Sequence, residues 1–358
     1  MFTAVRPRRK AYLCFNERTD IIMTCYHPLK AFATGERTKN GKISYIVTGY
    51  DAQAIIIDGK GRRTVVDYNP ESRGDKVLRD PIEIPCGKCF GCRLKRARDW
   101  SVRMMLESEY HDENWFVTLT YNNDHLPMNE YVDDDGVIQL KSTLCKRDLQ
   151  LFWKRLRKKQ DIRYYACGEY GTRTARPHYH AVIFGLHLDP DRLVEYRSQP
   201  FQLWTCPELE EIWKCGYVVV GKVTQESCEY TARYCMKKLN GSAAEIYDQF
   251  NFIPEFSSMS LKPAIGRQWF DDHAFDIYPK DEIQLPKGRL VTPPRYFDQC
   301  MEKLDEDLMV SVKDERKDIA EKLEHARLLE TALSKSDYLK VAEANMKQKM
   351  KRKVRPLD

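Results

Sequence analysis

The residues best suited to chemistry are His178-Tyr179-His180. On a strand, positions i and i+2 face the same side, so both imidazoles can reach one ion from a rigid support. A pair of histidines at this spacing is by itself more simply structural. Glu169 strengthens the case. It closes the preceding strand-like segment, and an antiparallel hairpin can bring it beside the histidine face. Two neutral imidazoles and one carboxylate make a three-ligand site with open positions, as a catalytic divalent ion requires.

A second group lies downstream, in Tyr230-Thr231-Ala232-Arg233-Tyr234-Cys235-Met236-Lys237-Lys238. On a helix, Tyr230 and Tyr234 emerge from one face a turn apart, and Lys237 and Lys238 continue that face. The plain alternative is a tyrosine stripe packed in the core with two surface lysines. A phenol ionises near pH ~10, so it is a poor nucleophile until a cation stabilises the phenolate. Beside a metal that polarises a phosphate, with a lysine holding charge nearby, it becomes a competent one.

Three of the twelve cysteines are clustered, as Cys86-Gly87-Lys88-Cys89-Phe90-Gly91-Cys92. Met1 to Lys10 is basic but leads into no apolar signal region, so the expected compartment is reducing and the cluster reads as metal chemistry. A structural zinc takes four ligands, and Cys25 or His27 is the candidate for the fourth. A ferredoxin-type run needs a cysteine where Arg96 stands. The alternative is three reduced thiols in a tight glycine turn. Basic residues follow the trio, and Arg93, Lys95 and Arg96 are candidates for the DNA backbone. Lys154, Arg155 and Lys158, on a basic helix, are candidates of the same kind.

These groups need elements to position them. The chain has 358 residues, 42% hydrophobic and 31% charged, with 59 − 53 = +6 net charge. That composition excludes an integral membrane protein and a wholly disordered one. Lys42 to Val47, Ala54 to Ile57 and Arg63 to Val66 read as strands. Asp99 to His111 reads as helix, and Trp115 to Tyr121 as a strand rich in β-branched and aromatic residues. Arg147 to Lys159 places Leu149, Phe152, Trp153 and Leu156 on one face of an amphipathic helix. A hairpin follows, with strands Arg163 to Gly168 and His178 to Phe184 around a loop from Tyr170 to Pro177. Residues 190 to 215 read as mostly helical, Gly216 to Gly221 as a strand, and Glu226 to Leu239 as a helix. Residues 240 to 298 read as irregular, and Asp298 to Lys353 as helical.

The spacing of His178-Tyr179-His180 and Tyr230-x-x-x-Tyr234-x-x-Lys237-Lys238 resembles the two-tyrosine HUH endonucleases of rolling-circle replication. Further segments match. Met23 to Leu29, Pro85 to Cys92, Val117 to Pro127 and Ser260 to Gly266 resemble the replication initiators of gokushovirus-type microviruses. The resemblance covers roughly residues 20 to 300. It implies an α+β fold with a central antiparallel sheet and flanking helices, and a central strand from Phe116 to Tyr121 near the nicking site. It implies metal binding by His178 and His180, with Glu169 as third ligand by analogy of spacing, and Tyr230 and Tyr234 as nucleophiles. The expected organisation is an N-terminal β-rich region with the cysteine cluster (1–112), an HUH core (113–240), a family-specific segment (241–298) and a helical, basic-ended tail (299–358).

The expected function is initiation of rolling-circle replication in the host bacterial cytoplasm. One tyrosine nicks single-stranded or extruded origin DNA and becomes joined to the 5′ phosphate; the other allows rejoining into a circle. Mg²⁺ or Mn²⁺ serves the nuclease site and zinc the cysteines. No Gly-rich loop ending in Gly-Lys-Ser/Thr is present, so a host replicative helicase and polymerase are the expected partners. Two rivals stand: a non-catalytic zinc-containing nucleic-acid-binding protein, and a relaxase or transposase using the same chemistry.

Overall fold

The computed structural model of the chain describes residues 25–71, 74–171, 174–199, 201–233, 238 and 241–352. It divides into two compact units. The smaller comprises Ile22–Arg93 with His325–Arg352; the larger contains Leu94–Glu324.

The smaller unit has strands β1 (Leu29–Arg37), β2 (Ile43–Thr48), β3 (Ala54–Ile57), β4 (Arg63–Val66), β5 (Lys76–Leu78) and β6 (Ile82–Ile84). They form two three-stranded antiparallel sheets, β2-β1-β6 and β4-β3-β5. Phe32, Ala52, Ile55 and Leu78 make a small buried core. The C-terminal helix Lys335–Arg352 belongs to this unit.

The larger unit is built on one seven-stranded antiparallel sheet. Helix α1 (Phe90–Ser108) leads into β7 (Asn114–Tyr121), and a small hairpin, β8 (Met128–Val132) and β9 (Ile138–Ser142), precedes α2 (Lys146–Leu156). Then come β10 (Arg163–Tyr170), β11 (Pro177–Phe184), β12 (Val194–Arg197), β13 (Leu203–Thr205), α3 (Pro207–Trp213), β14 (Gly216–Lys222), α4 (Gln225–Arg233), β15 (Phe256–Met259) and α5 (Arg267–Ile277). The strand order is β12-β13-β14-β7-β11-β10-β15, which puts β7 in the middle.

Strand alternation sorts the side chains onto two faces. Leu119, Tyr179, Ala181 and Ile183 point to one face and pack with Leu149, Phe152 and Trp153 of α2 and with Trp213 of α3. Tyr165, Val182 and Phe184 point to the other, under Ala97 and Met104 of α1 and Cys228 and Ala232 of α4. A wholly buried side chain of this size contributes ~1.5–3 kcal/mol, so both helical layers are firmly held. Gly216 opens β14 with φ +149°, and a Cβ there would lie 2.3 Å from the Thr120 carbonyl oxygen. Only glycine lets β14 approach the central strand at that point.

Three expectations are corrected. Residues 190 to 215 are not mostly helical: β12 and β13 extend the sheet, and only α3 and a short 3₁₀ turn at Pro190–Arg192 are helical. Pairing of Leu203 with Gly221 and of Trp204 with Val220 overrides the local composition. Residues 240 to 298 are not irregular. They hold β15, which pairs with β10 as an edge strand, and α5. The helix expected from Asp99 begins at Phe90, so Arg93, Lys95 and Arg96 lie on it.

Candidate active site and metal-binding groups

The hairpin of β10 and β11 has a register in which Glu169 pairs with His178 and Cys167 with His180. On the other side of β11, His180 pairs with Thr118 of the central strand. Glu169, His178, His180 and Thr118 therefore share one face. Glu169 Oε1 lies 2.7 Å from His178 Nε2 and 3.1 Å from His180 Nε2. Glu169 is 1% exposed and His180 3%, while His178 is only partly buried and leaves the group open on its side.

The remaining ring nitrogens are also held. Nδ1 of His178 donates to the Arg176 carbonyl at 3.0 Å, and Nδ1 of His180 meets the Thr118 hydroxyl at 3.0 Å. A carbonyl only accepts, so His178 carries its proton on Nδ1 when neutral, and its Nε2 lone pair then faces the Glu169 carboxylate. Two acceptors at 2.7 Å repel unless a cation sits between them. The donor set thus fits a divalent metal ion, with ring orientation fixed from behind. Burial pushes the Glu169 carboxyl up, yet hydrogen bonds and charge from His178 and His180 outweigh it and hold it well below the usual carboxylate range.

Tyr230, on α4, comes to the same place. Its ring stands edge-on to His180 at 5.1 Å between centroids and edge-on to Phe116 at 6.0 Å. Phe116 stacks on His180 at 5.6 Å. Tyr234 and Lys237 lie outside the described residues, and Lys238 is exposed after α4. Sequence reasoning missed Thr118 as the support of His180. Alternation along Val117-Thr118-Leu119-Thr120 carried that signal, because the threonines take the histidine face.

The basic candidates separate. Lys154 on α2 and Lys158 just after it are exposed and, with Gln150, Trp153, Arg157 and Tyr164, line an open groove of about 420 Å³. Trp153 and Tyr164 stack there at 3.9 Å, nearly parallel. Tyr164 and Glu169 alternate to opposite faces, so the groove lies across the sheet from the histidines. Arg155 is engaged otherwise: it donates to the carbonyls of Ile212 and Trp213 at 2.6 and 2.8 Å, at the end of α3. On α1, Lys95 pairs with Asp99 at 3.1 Å, Arg96 is exposed and Arg93 is partly buried.

In the smaller unit, Cys25, Cys86, Cys89 and Cys92 converge, each sulfur within 4.8 Å of the others. His27 is not among them; its Nε2 lies 2.9 Å from Glu343.

A family profile described as Replication-associated protein ORF2 matches residues 114–239. Replication-associated protein ORF2 of Spiroplasma virus 4 is 33% identical over 305 residues, covering 82% of this chain and 93% of that protein. The chain belongs to the replication-associated proteins of gokushovirus-type microviruses. Other members are Replication-associated protein VP4 of Bdellovibrio phage phiMH2K, 32% identical over 62% of this chain and 68% of that protein, and Replication-associated protein ORF4 of Chlamydia phage 1, 30% identical over 84% and 68%. No solved structure matches. The matched segment of this replication-associated protein contains the whole Glu169–His178–His180 group and Tyr230. Among the described residues, no helix is long and apolar enough to cross a membrane.

Proposed function

We propose that the chain initiates rolling-circle replication of a single-stranded DNA phage genome in the cytoplasm of a bacterial host, as a nicking and joining enzyme of the two-tyrosine HUH type. The observation that carries this reading is the convergence of Glu169, His178, His180 and Tyr230 on one face of the central sheet. A divalent cation, Mg²⁺ or Mn²⁺, held by Glu169, His178 and His180 supplies Lewis acidity to a phosphate oxygen. The phenol oxygen of Tyr230 or Tyr234 attacks the phosphorus in line and loses its proton. A tyrosyl O–P bond forms, the P–O3′ bond breaks, and the freed 3′ hydroxyl primes a host polymerase. Lys237 and Lys238, which follow α4, hold charge near the phosphate.

The phosphotyrosine keeps the energy of the broken bond, so joining needs no ATP. The second tyrosine cleaves the regenerated origin, and the first junction is resealed as a circle. The origin is single-stranded or extruded, because a helix-borne tyrosine cannot attack in line through an intact duplex; unwinding falls to a host helicase. Lys154 and Lys158 support the reading by offering phosphate contacts away from the chemistry, where flanking DNA would bind. Arg93, Lys95 and Arg96 on α1 are second candidates for such contacts.

One observation favours a non-catalytic nucleic-acid-binding protein: Tyr230 is only 7% exposed and packs with Phe116 and Cys167. The two readings differ in covalency. Incubating the full chain with single-stranded DNA of its own replicon and Mn²⁺ should give a protease-sensitive protein–DNA adduct that chelation prevents. DNA binding without any adduct, across metals and origin fragments, selects the non-catalytic reading.

A further inference from the structure

We propose that Cys25, Cys86, Cys89 and Cys92 bind one structural Zn²⁺ through four thiolates, and that this ion fastens the C-terminal helix Lys335–Arg352 into the smaller unit. The inference is independent of the nuclease reading, because none of these residues belongs to the Glu169 group.

The sulfurs define a tetrahedron. Cys25 and Cys89 lie 3.8 Å apart on one edge, and Cys86 and Cys92 lie 4.0 Å apart on the opposite edge. With Zn–S bonds of about 2.3 Å, the edge of an ideal tetrahedron is about 3.8 Å. All four are free cysteines. Four protein ligands leave no open position, which marks a structural rather than a catalytic site. Soft thiolates also separate this site from the harder Glu169–His178–His180 set, so zinc and Mg²⁺ or Mn²⁺ sort by ligand type.

The backbone is shaped for the ion. Gly87 has φ +73°, and this turn folds the chain around Cys86. The amides of Cys89 and Cys92 donate to the sulfurs of Cys86 and Cys89, at 3.2 and 3.5 Å. The amides of Tyr26 and Cys86 donate to Cys89 and Cys25, at 3.4 and 3.3 Å. Binding releases the thiol protons and leaves a doubly negative centre, which these N–H groups stabilise.

The C-terminal helix lies directly on the cluster. Leu339 is buried with Tyr26 and Cys89, and Tyr338, Ala342 and Met346 pack around the other cysteines. Glu343 accepts from the Phe90 amide at 3.3 Å and meets His27 at 2.9 Å. Few apolar side chains share this cluster, so crosslinking by the metal supplies what hydrophobic burial alone would not.

The test uses the full chain, purified anaerobically. Elemental analysis should find about one zinc per chain. Replacement with Co²⁺ should give tetrahedral visible bands and strong thiolate charge-transfer absorption. Cys25→Ser should weaken that absorption by about a quarter, while His27→Ala should leave it unchanged. Hydrogen exchange in residues 335–352 should accelerate when chelator strips the metal. Iron in place of zinc, no bound metal, loss of the thiolate signature in His27→Ala rather than Cys25→Ser, or exchange in 335–352 that ignores chelation each overturns the proposal; the wild-type cobalt spectrum decides even if a cysteine variant does not fold.

Discussion

Glu169 and His178 meet because of register alone: they are paired residues of one hairpin, and His180 is two positions along. Thr118 then orients His180 from the next strand. Removing such a supporting group ordinarily costs ~10–100-fold in metal affinity. Thr118→Val should therefore raise the Mn²⁺ concentration needed for half-maximal adduct formation by that factor, with the fold intact by circular dichroism. His178→Ala and His180→Ala should abolish the adduct while leaving single-stranded DNA affinity nearly unchanged, because phosphate contacts come from elsewhere. Glu169→Ala should give a weaker defect whose size depends on the metal. Equal activity of Glu169→Ala with every metal would remove that carboxylate from the ligand set.

At the scale of elements, α2 and the turn after it present two kinds of basic residue. Arg155→Ala should destabilise the fold by ~1–3 kcal/mol in urea melts, because the carbonyls ending α3 lose their partner. Lys154→Ala and Lys158→Ala should barely alter stability and should each lower the salt slope of DNA binding by ~1. The buried Glu107 of α1 makes a separate prediction. Burial pushes its carboxyl up, but His111, the Gly266 amide and Arg163 outweigh that and lower it. A lowered folded-state value stabilises the protein above the unfolded carboxyl's pKa of ~4.3, and that stability fades as pH falls through the folded value. Glu107→Gln should thus be less stable than the parent at neutral pH, with the gap closing on acidification; a gap constant down to strong acid contradicts the ion pairing. The amphipathic α2 and the hairpin of β10 and β11 were legible because apolar spacing of 3.6 or 2 residues sets both. The strands β12, β13 and β15 were not. They are short strands at the sheet margins, and pairing with β14 and β10 decides them more than any local preference. The three-residue metal group was readable from strand spacing plus a hairpin. Cys25 was not distinguishable from His27, because only the fold shows Glu343 taking the histidine.

For the whole molecule, one chain carries the nuclease residues on a large sheet and the cysteines in a smaller unit, and its similarity to a replication-associated protein runs along most of its length. The central claim is covalent catalysis by the α4 tyrosines, and it is tested at Tyr230 and Tyr234. Phenylalanine keeps the ring, and so the contacts of Tyr230 with His180 and Phe116, but removes the nucleophile. The deciding measurement is mass-spectrometric mapping of the DNA-linked residue in the parent, Tyr230→Phe, Tyr234→Phe and double variants, each incubated with origin DNA and Mn²⁺. Covalent catalysis predicts adducts on Tyr230 or Tyr234 in the parent, on the remaining tyrosine in each single variant with joining lost, and none in the folded double variant. An adduct on another residue, or one that persists in the double variant, contradicts it.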